Sequence, residues 1–317
     1  MTAILFAPME GVTHHLFRSA HAACFLPADE YFIPFISPGN GPVSHREQRD
    51  ALPENNRGVR AVPQLLANDP QLFLRAAWTL KGLGYDEVNL NLGCPSATVV
   101  SKAKGAGLLA DPARLDRFLG EIFDGCPMEI SIKTRLGMAD PAEFGALLKI
   151  FNRYPVLRLI VHPRVREDFY QGQPRMEGFE EALLLSRAPV CYNGDLWNEE
   201  RIAAFETKYP ETESVMCGRG FLLHPDLMER VRGVVAPMPE RLRVFHDRLY
   251  ADYRRDLGHA TFVLDKMKEV WGWLGAGQGL SPKGLKRIRK ANGYESYEAA
   301  VQAAFEELAE AGLRSGH

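Results

Sequence analysis

A (β/α)8 barrel of the TIM type, followed by an all-helical C-terminal domain, is the fold that this 317-residue sequence predicts. Three observations carry that reading. Eight short, β-branched apolar runs recur before residue 219, Asp-Pro pairs open helical segments between several of them, and no such run follows Pro237. Strands that alternate with helices favour a parallel sheet, and a barrel of eight such units typically takes about 250 residues.

In chain order the runs are Ala3 to Ala7, Tyr31 to Ile36, Val59 to Leu66, Glu87 to Leu92, Glu129 to Thr134, Leu157 to His162, Pro189 to Asn193 and Ser214 to Gly218. Asp69-Pro70 opens a helical stretch to Leu83, Asp111-Pro112 one to Phe123 and Asp140-Pro141 one to Phe151. Asp before Pro is a helix start, because the carboxylate caps the first amides and the proline presets φ where no N–H is needed. A doubly wound open sheet is the structural competitor. It normally carries Gly-x-Gly-x-x-Gly after its first strand, where this chain reads Ala7-Pro8-Met9-Glu10-Gly11. Beyond Pro237 only helical spacing remains, as in Leu242, Phe245, Leu249 and Tyr253. The expected division is therefore residues 1–236 for the barrel and 237–317 for the helical domain.

At 46% hydrophobic, the chain buries a large core. No apolar run approaches the roughly 18 residues of a membrane span, and the start lacks the basic region of a signal peptide. The expected setting is the cytoplasm, without a membrane partner. Five scattered cysteines (Cys24, Cys94, Cys126, Cys191 and Cys217), with no Cys-x-x-Cys pair, indicate neither a disulfide framework nor a metal site. A net charge of -2 confines any nucleic-acid contact to a local patch. One candidate is Lys283-Gly284-Leu285-Lys286-Arg287-Ile288-Arg289-Lys290, five cations in eight residues, which taken alone is more often a solvated helix face. Trp271 and Trp273 beside it read as core.

Chemistry in such barrels sits at the C-terminal ends of the strands. Here Pro8 and Met9 follow Ala7 at the end of the first run, and Gln64 falls late in the third. Asn91 and Cys94 end the fourth, Lys133 and Arg135 the fifth, and His162 and Arg164 the sixth. Asn193-Gly194-Asp195 ends the seventh and Gly218-Arg219-Gly220 the eighth. Any one of them is an ordinary loop residue; jointly they define one rim. Glycines and an arginine after the last two strands suit a phosphate. With Met9 and Gln64 added, a flat heteroaromatic cofactor with one phosphate fits, flavin mononucleotide (FMN) better than NAD, although a sugar phosphate would use the same loops. Cys94 alone would pass for a buried thiol near a turn.

The set Ala7-Pro8-Met9-Glu10-Gly11-Val12-Thr13 with Phe17-Arg18, Asn91-Leu92-Gly93-Cys94-Pro95, Gly105-Ala106-Gly107-Leu108-Leu109, Lys133-Thr134-Arg135-Leu136-Gly137, His162 with Arg164, Asn193-Gly194-Asp195 and Gly218-Arg219-Gly220 resembles the tRNA-dihydrouridine synthase family in order and spacing. The resemblance is strong over residues 3 to 235 and looser beyond, through Lys266 to Leu274. It implies an FMN-dependent reduction of the C5=C6 bond of a tRNA uridine, with NADPH recharging the flavin and no obligate protein partner. Uracil would take hydride at C6 and a proton at C5. Thiols titrate near pH 8.5, so Cys94 would be the proton donor and not a nucleophile. By the same resemblance Ala7, Pro8, Met9, Gln64, Lys133, His162, Asn193, Gly194, Asp195, Gly218 and Arg219 would hold the cofactor. Asn91, Arg135 and Arg164 would meet the uridine, and Lys286, Arg287 and Lys290 the tRNA. Lys133 suits an anionic reduced flavin.

The long Pro95 to Gly107 connection would close over a base turned out of its stack. His14 stands where many members carry Asp, and Thr13 is expected to cap the helix in its place. Pro163 and Val165 replace the usual Gly and Thr around Arg164. The Pro8-Met9-Glu10-Gly11 start is that of the tRNA-dihydrouridine(16) synthase subgroup, whereas Glu30 to Asn40 does not follow it. Two rival classes are a free-pyrimidine or dihydroorotate-type flavin dehydrogenase, which needs no basic helical domain, and a flavin-bearing RNA-binding protein without turnover.

Overall fold

The computed structural model describes residues 2–40, 45–234 and 238–315. One sheet holds β1 (Ala3–Phe6), β2 (Glu30–Phe32), β3 (Ala61–Val62), β4 (Gln64–Leu65), β5 (Glu87–Leu92), β6 (Glu129–Arg135), β7 (Leu159–His162), β8 (Val190–Tyr192) and β9 (Ser214–Cys217). Its order is β3-β2-β1-β9-β8-β7-β6-β5-β4, parallel throughout. Only Pro63 separates β3 from β4, so the two ends of the sheet are consecutive in the chain and the sheet is a nearly closed barrel. Proline has no N–H for the ladder and splits the Val59 to Leu66 run in two. Its carbonyl still accepts from Asn89 N at 2.9 Å. All eight expected runs thus contain strand: Glu87–Leu92 keeps its bounds, the fifth gains Arg135, and the others lose residues at one or both ends. The second run is cut to three residues, with Ile36 making only an isolated bridge to Leu65.

The expected Asp caps form as the chemistry requires. The Asp69 and Asp111 carboxylates each accept a backbone N–H at 3.0 Å, from Leu72 and Arg114 respectively. Asp140 accepts from Ala142, while Glu143 turns back onto the amides of Met138, Ala139 and Asp140. The turn there is a short 3-10 segment, Pro141–Glu143, before the helix Phe144–Phe151.

The chain packs as two compact units. The first comprises Met1–Pro8, Asp29–Asp195 and Phe205–Cys217 and contains every strand. Its barrel interior is apolar on one side, where Leu5, Ala7, Phe32, Val62, Ile160, Cys191 and Met216 pack together. The β4 to β6 side is polar instead, and that asymmetry sets up the site described below.

The second unit comprises Met9–Ala28, Leu196–Ala204 and Gly218–His317. The boundary expected between residues 236 and 237 lies outside the described residues. The helices His15–Cys24 and Met238–Leu257 meet through Phe17 and Phe25, whose rings each lie 5.5 Å from Phe245. Ala260–Gly277, Pro282–Lys290 and Tyr294–Ser315 complete the helical part. Trp271 is core, and its Nε1 donates to the Tyr297 hydroxyl at 3.1 Å, which also pairs with His246 Nε2 at 2.9 Å. Burial holds the His246 imidazole below its ordinary pKa, so this buried polar knot is satisfied without charge on the ring. Among the described residues no helix is long and apolar enough to cross a membrane.

Thr13 does not cap the helix that follows it. The N-cap position is His14, which makes no side-chain cap bond. The turn before it closes on itself: Val12 and Thr13 donate to the Met9 carbonyl at 3.0 Å, and the Thr13 hydroxyl accepts from Met9 N at 2.9 Å. With that oxygen engaged, the helix amides get nothing from it, and His14 Nε2 pairs with the Tyr253 hydroxyl at 2.8 Å.

Candidate active site

Residues two apart on a strand face the same side, and register aligns Gln64 with Asn89, Asn89 with Ser131, and Asn91 with Lys133. The outcome is a chain of hydrogen bonds through the barrel interior. Asn91 Nδ2 donates to Gln64 Oε1 at 2.8 Å, and Gln64 Nε2 to Asn89 Oδ1 at 2.7 Å. Asn89 Nδ2 then donates to Ser131 Oγ at 2.8 Å, and that hydroxyl to Glu87 Oε1 at 2.6 Å. Arg158 anchors the far end, bonded to Glu87 at 3.1 Å and Glu30 at 2.7 Å. Each buried amide has its partner and, from Asn91 to Glu87, every bond runs in one direction, so the amide orientations are fixed together.

The near end of this chain sets the thiol. Asn91 Oδ1 accepts from Gly93 N at 3.0 Å and from Cys94 N at 2.9 Å. This Asx-type turn ends β5 and directs the chain into Cys94, leaving one Asn91 N–H for a ligand. The Cys94 carbonyl in turn accepts from Ala106 N at 3.1 Å. Far from being featureless, the connection after Cys94 holds the helix Ala97–Val100 and the 3-10 segment Gly105–Ala110. Asn68 caps it through the Lys102 carbonyl at 2.7 Å, and Lys104 reaches Ser37 at 3.0 Å.

Gly105 has φ +56°, and a Cβ there would lie 3.0 Å from both Cβ and the carbonyl oxygen of Cys94 and 2.9 Å from Val99 Cγ1. The carbonyl is backbone and cannot swing away. Gly105→Ala is therefore expected to cost about 1–3 kcal/mol through overpacking, read as a lower urea midpoint with an unchanged slope. A midpoint equal to that of the wild type would contradict this contact.

Lys133, half-buried on β6, has no hydrogen-bond or ion-pair partner among the described residues. Removal from water, and then the charge on Arg135, pull its ammonium down to about 8. The charged form thus predominates at neutral pH yet lacks a counter-charge, and an anionic group beside it would raise that value. Arg135 is committed to backbone: Nε donates to the Gly93 carbonyl at 2.8 Å and Nη1 to that of Val165 at 3.0 Å. Burial lowers its pKa too.

Arg164 is also 1% exposed and fully engaged. It grips both Asp195 oxygens at 3.0 and 2.7 Å and the carbonyls of Gln171 at 3.1 Å and Gly172 at 2.5 Å. Its Nη1 also donates to His162 Nε2 at 3.0 Å, which leaves the ring proton on Nδ1. The ring of Tyr170 lies 6.1 Å from that of His162 and 5.3 Å from the Arg135 guanidinium. Tyr170 is missing from the strand-end residues singled out by sequence. Its signal was an aromatic pair, Phe169-Tyr170, inside an otherwise charged loop.

The remaining expected residues divide between the units. Ala7 lines the apolar interior and bonds to the Cys217 carbonyl at 2.8 Å, with Pro8 following it. Asn193 Nδ2 is spent on the Met216 carbonyl at 2.7 Å. Gly194 is required by crowding, since a Cβ would sit 2.7 Å from the Tyr192 hydroxyl. Met9, Gly218 and Arg219 belong to the second unit, where the Arg219 guanidinium covers the Trp197 ring at 5.0 Å. Lys286, Arg287 and Lys290 are exposed on the helix Pro282–Lys290, whose Gly284 and Ile288 face inward.

The first unit thus gathers a thiol, an ammonium, an imidazole and an oriented amide at the ends of β5, β6 and β7. A thiol is a proton source, and the ammonium stabilises negative charge on a flat ring next to it.

A family model described as dihydrouridine synthase matches residues 5–311. Over 247 residues the chain is 29% identical to the tRNA-dihydrouridine(16) synthase of Ralstonia nicotianae, covering 75% of each protein. It is 27% identical over 217 residues to tRNA-dihydrouridine synthase B of Vibrio parahaemolyticus, covering 68% of this chain and 66% of that protein. Among solved structures, a mutant of morphinone reductase in complex with tetrahydroNAD superposes with a TM-score of 0.53 at 14% identity, over 77% of this chain and 90% of that one. At that identity the likeness speaks for the barrel alone.

Proposed function

The chain belongs to the dihydrouridine synthase family, and on that premise we propose that it reduces the C5=C6 bond of one D-loop uridine in tRNA, with Cys94 as the proton donor. The observation that carries this reading is the pairing of an Asn91-oriented thiol with an unpartnered ammonium, Lys133, on the adjacent strand. When bound, FMN supplies the two electrons for uracil C6, and NADPH restores them. Lys133 fits that cofactor, because a part-desolvated cation without a counter-charge favours an electron-rich ring system beside it.

The remaining work falls to the side chains. The free Asn91 N–H donates to a uracil carbonyl, orienting the base; its oxygen is already engaged by two backbone amides and cannot accept from uracil N3. Cys94 Sγ gives its proton to C5, and solvent then restores it. His162, whose tautomer is set by the Arg164 N–H on its Nε2, stands on the cofactor side of the site. Arg135 and Arg164 keep the rim in shape, through Gly93 and Asp195 respectively, while the substrate is seated. The helical residues 237–317 recognise tRNA, through Lys286, Arg287 and Lys290. The setting is the cytoplasm.

Mass spectrometry of tRNA from cells that lack the gene tests this directly. We expect one mapped dihydrouridine to revert to uridine and to return when the wild-type gene is restored; the map also names the position. Unaltered tRNA would overturn the proposal.

A further inference from the structure

The loop after β7 carries a second aromatic that the reaction does not use. Phe169 has φ 51° and ψ −100°, a backbone conformation that bulky L-residues avoid at a cost of order 1–3 kcal/mol. Its ring is nonetheless 41% exposed, so apolar burial does not repay that strain. The loop is built around this residue: Asp168 Oδ2 accepts from Val165 N at 2.9 Å and pairs with Arg175, while Arg164 holds the carbonyls of Gln171 and Gly172. The strained φ turns two consecutive rings different ways. Tyr170 lies against Arg135 and His162, residues of the site, whereas Phe169 lies under the Arg166 guanidinium, 5.0 Å from its ring centre. Arg166 Nε also donates to the Pro95 carbonyl at 3.2 Å, which ties this platform to the residue next to Cys94.

We propose that Phe169, backed by Arg166, is a stacking platform for a nucleobase flanking the target uridine. This rests on the reaction proposed above and adds to it a subsite for the neighbouring nucleotide. An exposed ring with a cation over one face is what unstacked RNA bases bind, whatever their sequence, because every base has a π-face and the cation draws the adjacent phosphate. A protein or lipid partner would call for a broader apolar patch, whereas beyond Tyr170, turned toward Arg135 and His162, the neighbours of Phe169 in the loop are Glu167, Asp168 and Gln171.

Phe169→Gly in the full-length, flavin-loaded enzyme is the informative variant, since glycine adopts this φ freely. Removing the ring is expected to raise KM for transcribed tRNA about thirtyfold, the middle of what one lost base stack costs. The rate at saturating tRNA changes little, and the melting temperature stays level or rises. Phe169→Trp is expected to restore KM. If Phe169→Gly melts lower and Phe169→Trp does not recover KM, the ring is a structural part and the platform is overturned. An unchanged KM in Phe169→Gly overturns it as well, while leaving the reaction standing. Wild-type enzyme that forms no dihydrouridine in tRNA overturns both together.

Discussion

Cys94→Ala is expected to lower dihydrouridine formation by on the order of 10²–10⁴-fold, the usual worth of a positioned general acid, while flavin remains bound with its normal absorbance. The loss should fall in the rate at saturating tRNA and not in KM, because the thiol acts on C5 after the base is seated. Three contacts give this expectation its size. Asn91 Oδ1 holds the Cys94 amide at 2.9 Å, Ala106 N holds its carbonyl at 3.1 Å, and Gly105 leaves no slack behind its Cβ. A group held from three sides is in place before the substrate arrives, which is the condition under which removing it is costly. Alanine disturbs none of these contacts, since all three involve the backbone or Cβ. An alanine variant that reduces tRNA at the wild-type rate would show that the proton comes from elsewhere, and the reaction would need another acid.

Much of this barrel could be read from spacing alone. Polar residues at strand ends, from Asn91 to Gly218, fall where a parallel barrel collects them, and Asp-Pro pairs mark helix starts because the cap needs only local atoms. The break at Pro63 was equally local, though the run around it looked continuous. What the sequence does not reveal is partnership. Nothing in Arg164 distinguishes a guanidinium that meets a ligand from one that clamps Asp195 and two carbonyls, and that choice is made by the loop from Gln171 to Gly172 and by β8. Gln64 likewise looks like a ligand-facing amide until its partners on β5 claim one N–H and its oxygen. The grouping of Met9–Ala28 with the C-terminal helices was hidden for the same reason. An amphipathic helix such as His15–Cys24 presents Phe17 to whatever packs against it, and the partner ring, Phe245, lies far along the chain.

That grouping decides how the basic helix should be tested. Deleting residues 238–317 would remove Phe245 from between Phe17 and Phe25 and Tyr253 from His14, so lost activity would report a collapsed unit. Charge reversal avoids this. Lys286, Arg287 and Lys290 are exposed, while the helix is held from its other face by Gly284 and Ile288 and from its start by Ser281, whose hydroxyl caps Gly284 N at 3.1 Å. Glu307 adds a bond to Ser281 N at 2.7 Å. The triple variant Lys286→Glu, Arg287→Glu, Lys290→Glu should therefore melt like the wild type. If each cation meets one phosphate, tRNA binding should weaken by on the order of 10²–10³-fold near 0.1 M salt, and the slope of log affinity against log salt should become shallower by about 3. The slope carries the argument, because a mere loss of affinity can follow from any disturbance, whereas counterion release counts the phosphate contacts. The protein's net charge of -2 sharpens the contrast, since there is no global positive field to stand in for a lost local patch. Equal affinity and equal slope in the variant would mark the run as a solvated helix face and move the tRNA contact to another surface.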